Sequence, residues 1–236
     1  MSLSKYPFWE VVKHAFSSEV WDTLWPAVWD TLYMVALSAL ITLVLGVLLG
    51  IGLSIISKEG VRPIPVLNET AGTIVNCLRS LPQMIMIIIT LPLARMLLGQ
   101  SYGVNACIIA LAASCIPMYA RLVQGAFVEI PKGKIEAAKA MGSSSATIVF
   151  RVMLPEAIPS IIRGFTVALI GIISMTALAG SFGAGGIGDI AVRFGFNRFY
   201  HDMLIASVLV LILMVEIAQV FGDLISGLIL KKRHLV

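Results

Sequence analysis

The chain has 236 residues, of which 58% are hydrophobic and only 13% are charged, and its formal net charge is +4. Soluble proteins carry about 25% charged residues, so this composition excludes a soluble domain and indicates an integral membrane protein. The length allows one bundle of about five spans of about 20 residues each, with no room for a soluble catalytic domain. The basic residues follow membrane sidedness, as shown below, and do not indicate nucleic-acid binding.

The N-terminal segment, residues 1–30, is not typical of a signal peptide because its first apolar run starts too late. Trp21, Trp25 and Trp29 follow one another at intervals of four residues, which places them on one face of a helix. Tryptophan prefers the membrane interface. The segment is therefore predicted to be an interfacial helix that leads into the first span; an aromatic ligand cage is the less favoured alternative.

Apolar runs predict five spans. They cover residues 31–57, 67–94, 96–120 (with the membrane part starting near 104), 158–178 and 203–230, the last closed by Lys231, Lys232 and Arg233. The second run is broken at residues 79–82 and contains Pro92, whose ring frees backbone groups that neighbouring helices must satisfy. A central, protein-lined position is predicted for it. Gly46 and Gly50 form a GxxxG pair, which permits close helix packing.

Charge counting predicts the orientation. If the polar loop 129–159 is cytoplasmic, twelve of the 17 Lys and Arg residues lie on the cytoplasmic side and five lie outside. This bias follows the positive-inside rule. It places the N-terminus outside and the C-terminus inside.

The loop 129–159 is the longest polar interruption of the chain, and it predicts structure of its own. Pro131 can open a helix and Gly142 can close it in the left-handed conformation. Ile135, Ala138 and Met141 form one apolar stripe between them. A second helix is expected to follow, with N-cap candidates at Ser143, Ser144 and Ser145 and limits at Pro155 and Pro159. From periodicity alone, a plain solvated loop is the more ordinary interpretation.

The residue pattern of the loop favours a more specific interpretation. Glu136-Ala137-Ala138, three residues, Gly142, nine residues, Val152, one residue and Leu154-Pro155 resemble the EAA signature of ABC-importer permeases, with Val152 in place of isoleucine as the single departure. The resemblance implies that residues 129–157 form a cytoplasmic coupling loop whose helix docks on a separate ATPase subunit. The implied coupling residues are Glu136, Ala137, Ala138, Gly142, Leu154 and Pro155.

Further segments are similar to the methionine-uptake ABC permeases, over most of residues 25–230. They are Arg79–Pro82, Ile130–Pro131, Gly183–Gly188 and Phe221–Asp223. The resemblance implies an all-α, five-span, single permease domain over residues 1–236, with residues 1–30 periplasmic, in the bacterial inner membrane. It also implies a homodimer, two cytoplasmic ABC ATPase subunits and an extracytoplasmic substrate-binding lipoprotein. In such permeases a side chain near the end of the fourth span helps to close the outer gate; the matching position is Leu178, and Met175 and Pro82 are further candidates for the pathway.

The chain itself shows no ATP site, so any ATP is expected on the partner subunit, and neither an enzyme nor a cofactor is predicted. Gly183, Gly185 and Gly188 fit G-x-G-x-x-G, but that fingerprint needs a strand before it. Three separated histidines (His14, His201 and His234) lack metal-ligand spacing. Three cysteines (Cys77, Cys107 and Cys115) in or beside apolar segments are predicted to be buried and free of disulfides.

Alternatives remain open. The permease could carry another small amino acid or a peptide. An ion-coupled secondary transporter usually has more spans and inverted repeats, and an intramembrane enzyme needs paired catalytic groups at one depth. Glu216 lies within the fifth span, where a charge costs roughly 2.5–3.5 kcal/mol on insertion scales. A structural role facing a vestibule or a partner is predicted for it, because no ionisable relay accompanies it.

Overall fold

The computed structural model describes residues 1–3 and 5–232, without the side chain of Lys232. The described residues form helices and turns and no strand, which confirms the predicted all-α class. Arg233 and His234 lie outside the described residues.

Ten α-helices follow one another along the described chain, two of them continued by a wider π-helical segment. They are α1 (Phe8–His14), α2 (Ser18–Ile56), α3 (Pro65–Ser80), α4 (Gln83–Leu98), α5 (Val104–Val128), α6 (Lys132–Ala140), α7 (Ser145–Thr147), α8 (Leu154–Gly180), α9 (Gly186–Ile190) and α10 (His201–Lys232). The π-helical segments are Ile148–Met153, between α7 and α8, and Ala191–Phe196, after α9.

Four helical stretches are long and apolar enough to cross a membrane: Ser18–Ile56, Val104–Val128, Ser145–Gly180 and His201–Lys231. Helices α3 and α4 pass the same test together as one sharply bent pair. Helices suit this environment because they satisfy their backbone hydrogen bonds internally. The count of five spans is therefore reached when the bent pair is taken as one span, and the break predicted at residues 79–82 is confirmed.

Helix α2 joins two predicted elements into one. The N-terminal helix and the first span are continuous over 39 residues, through Pro26. Trp25 and Trp29 are exposed and contact each other edge to face, with ring centroids 6.2 Å apart. Trp21 is partly buried and packs against the core.

Helix α4 differs from its prediction at its end. It continues past Arg95 to Leu98 and ends at Gly99, whose φ is +77°. Its buried face is formed by Met86, Ile87, Thr90 and Ala94, whereas Pro92 is exposed within the described part of the single chain. The central, protein-lined position predicted for this helix stays a prediction.

The prediction that Pro155 and Pro159 limit the second loop helix is wrong. The chain stays helical from Ser145 to Gly180, so the fourth span starts earlier than residue 158. The N–H of Leu154 bonds to the carbonyl of Val149, five residues back. A π-helical segment has already changed the hydrogen-bond register there, so Pro155 withdraws a donor where α-helical bonding is interrupted anyway.

The chain forms two compact units. The first comprises residues 1–40, 82–114 and 169–219, and the second comprises residues 41–81, 115–168 and 220 onward. Helices α2, α5, α8 and α10 contribute residues to each unit. The single permease domain remains a prediction.

The first unit has a core in which Leu24 and Ile187 are fully buried. Its glycine-rich stretch folds back onto the end of α8: a Cβ at Gly188 would overlap the backbone of Ala177. The N–H of Ile187 donates a hydrogen bond to Oγ1 of Thr31 at 2.9 Å. This stretch is therefore part of the core, which the sequence did not predict.

The second unit depends on close helix contacts. A Cβ at Gly50 would lie 2.7 Å from the carbonyl oxygen of Ala120, which confirms the close packing predicted from the GxxxG pair. Gly222 of α10 lies in the same way against Thr166 of α8. Cys115 is buried as predicted. Cys77 is exposed, contrary to prediction, because α3 buries only Val75.

Candidate coupling and pathway sites

Helix α6 lies between the residues that the sequence predicted. Pro131 precedes its first residue, and Gly142 follows its end with φ +76°. The N–H of Ser143 bonds to the carbonyl of Ala138, and the N–H of Gly142 bonds to that of Lys139. These two bonds form a Schellman motif, which needs the left-handed residue that glycine supplies without strain.

The base of α6 is held by the segment that follows it. Ala138 is 3% exposed, and α6 packs against the π-helical segment Ile148–Met153. Of the three serines predicted as N-caps, Ser144 takes the role: its Oγ accepts a hydrogen bond from the N–H of Thr147 at 3.2 Å. The loop is therefore ordered by its own contacts.

Two ion pairs join α6 to neighbouring elements. Lys134 Nζ lies 2.5 Å from Oε1 of Glu156 in the first turn of α8. Lys132 Nζ lies 3.0 Å from Oε2 of Glu59, in the turn after α2. The basic residues of α6 thus attach this helix to two spans, a role that spacing alone did not indicate.

The opposite side of α6 is open. Glu136 and Ala137 are exposed, and among the described residues no hydrogen bond or ion pair reaches Glu136. Met141 is 79% exposed and Phe150 is 60% exposed. Met141 was predicted on one apolar stripe with Ile135 and Ala138; it is the C-cap residue of α6, and of these three residues only Ala138 is buried. The loop therefore presents exposed apolar side chains and a carboxylate that no described residue pairs with.

The structure separates the six predicted coupling residues. Glu136, Ala137 and Gly142 lie on the exposed part of the loop, whereas Ala138 is in its base. Leu154 and Pro155 are half-buried at the start of α8. The motif thus comprises an exposed helix and the beginning of the span to which it is tied.

A cavity that the sequence did not predict lies where the loop meets α5 and α8. Its volume is about 400 Å³, and its polar lining residues are Arg121, Glu129, Ser160 and Arg163. Ser160 Oγ donates to Oε2 of Glu129 at 3.0 Å. Because residues 129 and 160 flank the loop, this hydrogen bond closes its base.

The predicted pathway residues differ in exposure. Leu178 is 36% exposed on α8, and Pro82 is exposed at the start of α4. Met175 is 1% exposed and lies in the interior. Ser174, one turn before Leu178, shares the exposed face of α8.

A second cavity, which is largely apolar and has a volume of about 420 Å³, lies between α8 and α10, and Glu216 is one of its lining residues. Its other lining residues are apolar except Ser174. Within the part of the chain that the structure describes, no cluster of three His, Cys, Asp or Glu side chains could hold a metal ion.

A bundle of helices long and apolar enough to cross a membrane, joined by a polar loop that carries an ordered helix, defines a multi-pass membrane protein. The model of the family "binding-protein-dependent transport system inner membrane component" matches residues 44–234. The chain belongs to this family of inner-membrane transport components.

Relatives and solved structures agree with this assignment. The chain is 40% identical over 180 residues to the methionine import system permease protein MetP of Bacillus subtilis, covering 76% of this chain and 81% of the relative. It is 38% identical over 171 residues to a probable D-methionine transport system permease protein MetI of Vibrio cholerae, covering 72% and 76%.

The fold is similar to the inward-facing MetNI methionine ABC transporter, with a TM-score of 0.85, 33% identity and coverage of 91% of this chain and 99% of that one. An amino acid ABC transporter structure, at 18% identity and a TM-score of 0.72, shares the fold.

Proposed function

We propose that this chain is the permease subunit of an ATP-driven importer for methionine. It acts as a homodimer with two cytoplasmic ATPase subunits and receives substrate from an extracytoplasmic binding lipoprotein. The observation that carries the proposal is the exposed helix α6, whose signature carboxylate Glu136 has no partner within the described chain. The methionine permeases among the relatives support the substrate.

The contacts of α6 support a mechanism. ATP binding closes the ATPase subunits and moves the docked α6. Its ion pairs to Glu59 and Glu156, and its packing on Ile148–Met153, pass this movement to α2 and α8. Leu178, the proposed gate residue, lies on the same helix α8, so a movement of the first turn of α8 also moves Leu178. The apolar leucine side chain is proposed to close the gate. Met175 and Pro82 are proposed to adjoin the pathway.

The proposed sidedness follows the charge bias. Residues 1–30 and the C-terminal end of α8 lie outside, and α6 and the C-terminus lie inside. A cysteine placed at Ser143, in a Cys77→Ser background, tests it. An impermeant maleimide should label this cysteine in inside-out vesicles and not in intact cells; the reverse pattern would refute the docking role.

Transport is tested by reconstituting the complex with its ATPase and binding protein and measuring uptake of radiolabelled methionine. Uptake should require ATP, and Gly142→Asp should abolish it while ATP hydrolysis continues. Gly133→Asp introduces the same charge in the same loop, outside the signature and with open space around it, and should leave uptake intact. Uptake driven by an ion gradient without ATP, or unchanged uptake by Gly142→Asp, would contradict the proposal.

The substrate itself is checked by competition. An excess of unlabelled D-methionine, of other small amino acids and of short peptides is added to the uptake assay. Selective competition by methionine supports the proposal. Stronger competition by another amino acid or a peptide would favour a permease of the same class for that substrate.

A further inference from the structure

The cavity beside Glu216 combines features that lipid contact alone does not explain. Glu216 is the sixteenth of the 32 residues of α10, halfway along an apolar span. Among the described residues it has no hydrogen bond or ion pair. An ionisable group at this depth is costly, and it usually faces a protein interior or a wet cavity. The carboxylate therefore needs a partner that the described chain does not supply.

The shape of the cavity limits what that partner can be. Ile173 and Ala177 of α8 and Leu211 and Val215 of α10 form apolar walls around a volume of about 420 Å³. The other polar group is the hydroxyl of Ser174, whose proton is donated to the carbonyl of Ile170 at 3.0 Å. The lining residues of the cavity thus include one carboxylate and no cationic side chain, and the Ser174 hydroxyl already donates its hydrogen bond elsewhere. This chemistry fits a small molecule with one ammonium group and an apolar body.

The position of the cavity points to the source of that molecule. Ser174 lies on the exposed face of α8 one turn from Leu178, the proposed gate. The cavity therefore begins one helical turn from the proposed gate.

We propose that this cavity binds the transported amino acid by its ammonium group. Glu216 is the counter-ion, and the apolar side chain of the substrate packs between α8 and α10. This inference rests on the proposed function, because it takes the occupant from the pathway. It deepens that function by making the permease itself selective for apolar amino acids with a free ammonium group.

The experiment measures charge at the cavity directly. In a Cys77→Ser background, Ser174→Cys is introduced into the full chain, purified with its ATPase in lipid nanodiscs. A cationic and an anionic methanethiosulfonate reagent are compared for their reaction rates. The cationic reagent should react about tenfold faster, a preference that a carboxylate lining the same cavity produces in a medium of reduced dielectric. Glu216→Gln should abolish the preference.

Two further arms complete the test. Val167→Cys, on the same helix but outside this cavity, should react at rates that Glu216→Gln does not change. L-methionine methyl ester, which keeps the ammonium group, should slow labelling of Ser174→Cys severalfold, whereas N-acetyl-L-methionine, which lacks it, should not. The ester should give no protection in Glu216→Gln.

Three outcomes would overturn the inference. The preference for the cationic reagent could survive Glu216→Gln, or L-methionine methyl ester and N-acetyl-L-methionine could protect the thiol equally. The third is a thiol at position 174 that reacts with neither methanethiosulfonate reagent because a second copy of the chain covers it. Failure of the proposed function would appear separately, as absent ATP-driven uptake by the unmodified chain.

Discussion

Lys134 of the exposed helix α6 and Glu156 of the first turn of α8 form an ion pair with 2.5 Å between Nζ and Oε1. This contact joins the proposed docking helix to the span that carries Leu178. An exposed pair contributes only about 0.2–1 kcal/mol to stability, so its importance would lie in transmitting movement.

The first prediction concerns this pair. Lys134→Glu and Glu156→Lys should each lower the number of substrate molecules transported per ATP about two- to fivefold, because like charges then repel between α6 and α8. The double variant restores the opposite charges and should recover most of the ratio. The measurement is uptake and ATP hydrolysis in the same vesicles. If the unmodified chain, the two single variants and the double variant all transport the same number of substrate molecules per ATP, the Lys134–Glu156 pair does not transmit movement.

The second prediction concerns the end of α6. Gly142 has φ +76° in open space, so a side chain there is penalised by backbone conformation and not by collision. Gly142→Ala should destabilise the end of α6 by about 1 kcal/mol, which raises amide hydrogen exchange across residues 132–141 about fivefold.

Two variants control for this effect. Gly142→Asn should be milder, because asparagine tolerates the left-handed region. Gly133→Ala, at a helical position without positive φ, should not speed exchange. Equal exchange in Gly142→Ala and the unmodified chain would mean that the turn does not hold the helix.

The third prediction concerns helix packing in the second unit. Alanine normally stabilises a helix relative to glycine by roughly 0.5–1 kcal/mol. At Gly50 the added Cβ would collide with Val123 and the carbonyl of Ala120, whereas at Gly52 it meets nothing within 4 Å. Gly50→Ala should therefore lower the melting temperature in detergent by several degrees, with a cost of about 1–3 kcal/mol. Gly52→Ala should leave it unchanged or raise it; the opposite order would refute the close approach of α2 and α5.

The fourth prediction concerns the glycine-rich stretch. Thr31 Oγ1 accepts the N–H of Ile187 and donates to the carbonyl of Ala27, all in buried surroundings. Thr31→Val keeps the shape and leaves the Ile187 N–H without a partner, at a cost of about 1–3 kcal/mol. A melting temperature lower by several degrees is expected.

Thr42→Val is the matched control on the same helix. The Thr42 hydroxyl is buried and has no hydrogen-bond partner within the described residues, so its removal should be neutral or stabilising. If Thr31→Val and Thr42→Val have the same melting temperature, the hydrogen bond between Thr31 and Ile187 contributes no net stability.

The sequence by itself determined the all-helical membrane class, the number of apolar runs and the bounds of α6. These properties depend on local chemistry: uninterrupted apolar runs, a proline that can precede a helix, and a glycine that can end one in the left-handed conformation. The signature pattern around Glu136 was equally visible, because its fixed spacing lies within one short segment, Glu136–Pro155.

Only the tertiary structure decided which side chains meet. The ion pair of Lys134 with Glu156 and the return of the glycine-rich stretch onto Thr31 both join residues that spacing does not relate. The cavity at Glu216 is of the same kind, because its lining residues on α8 and those on α10 lie more than 30 residues apart in the chain. Helical periodicity assigns a residue to a face, but which helix covers that face follows from how the spans pack, and this arrangement is absent from any local stretch of sequence.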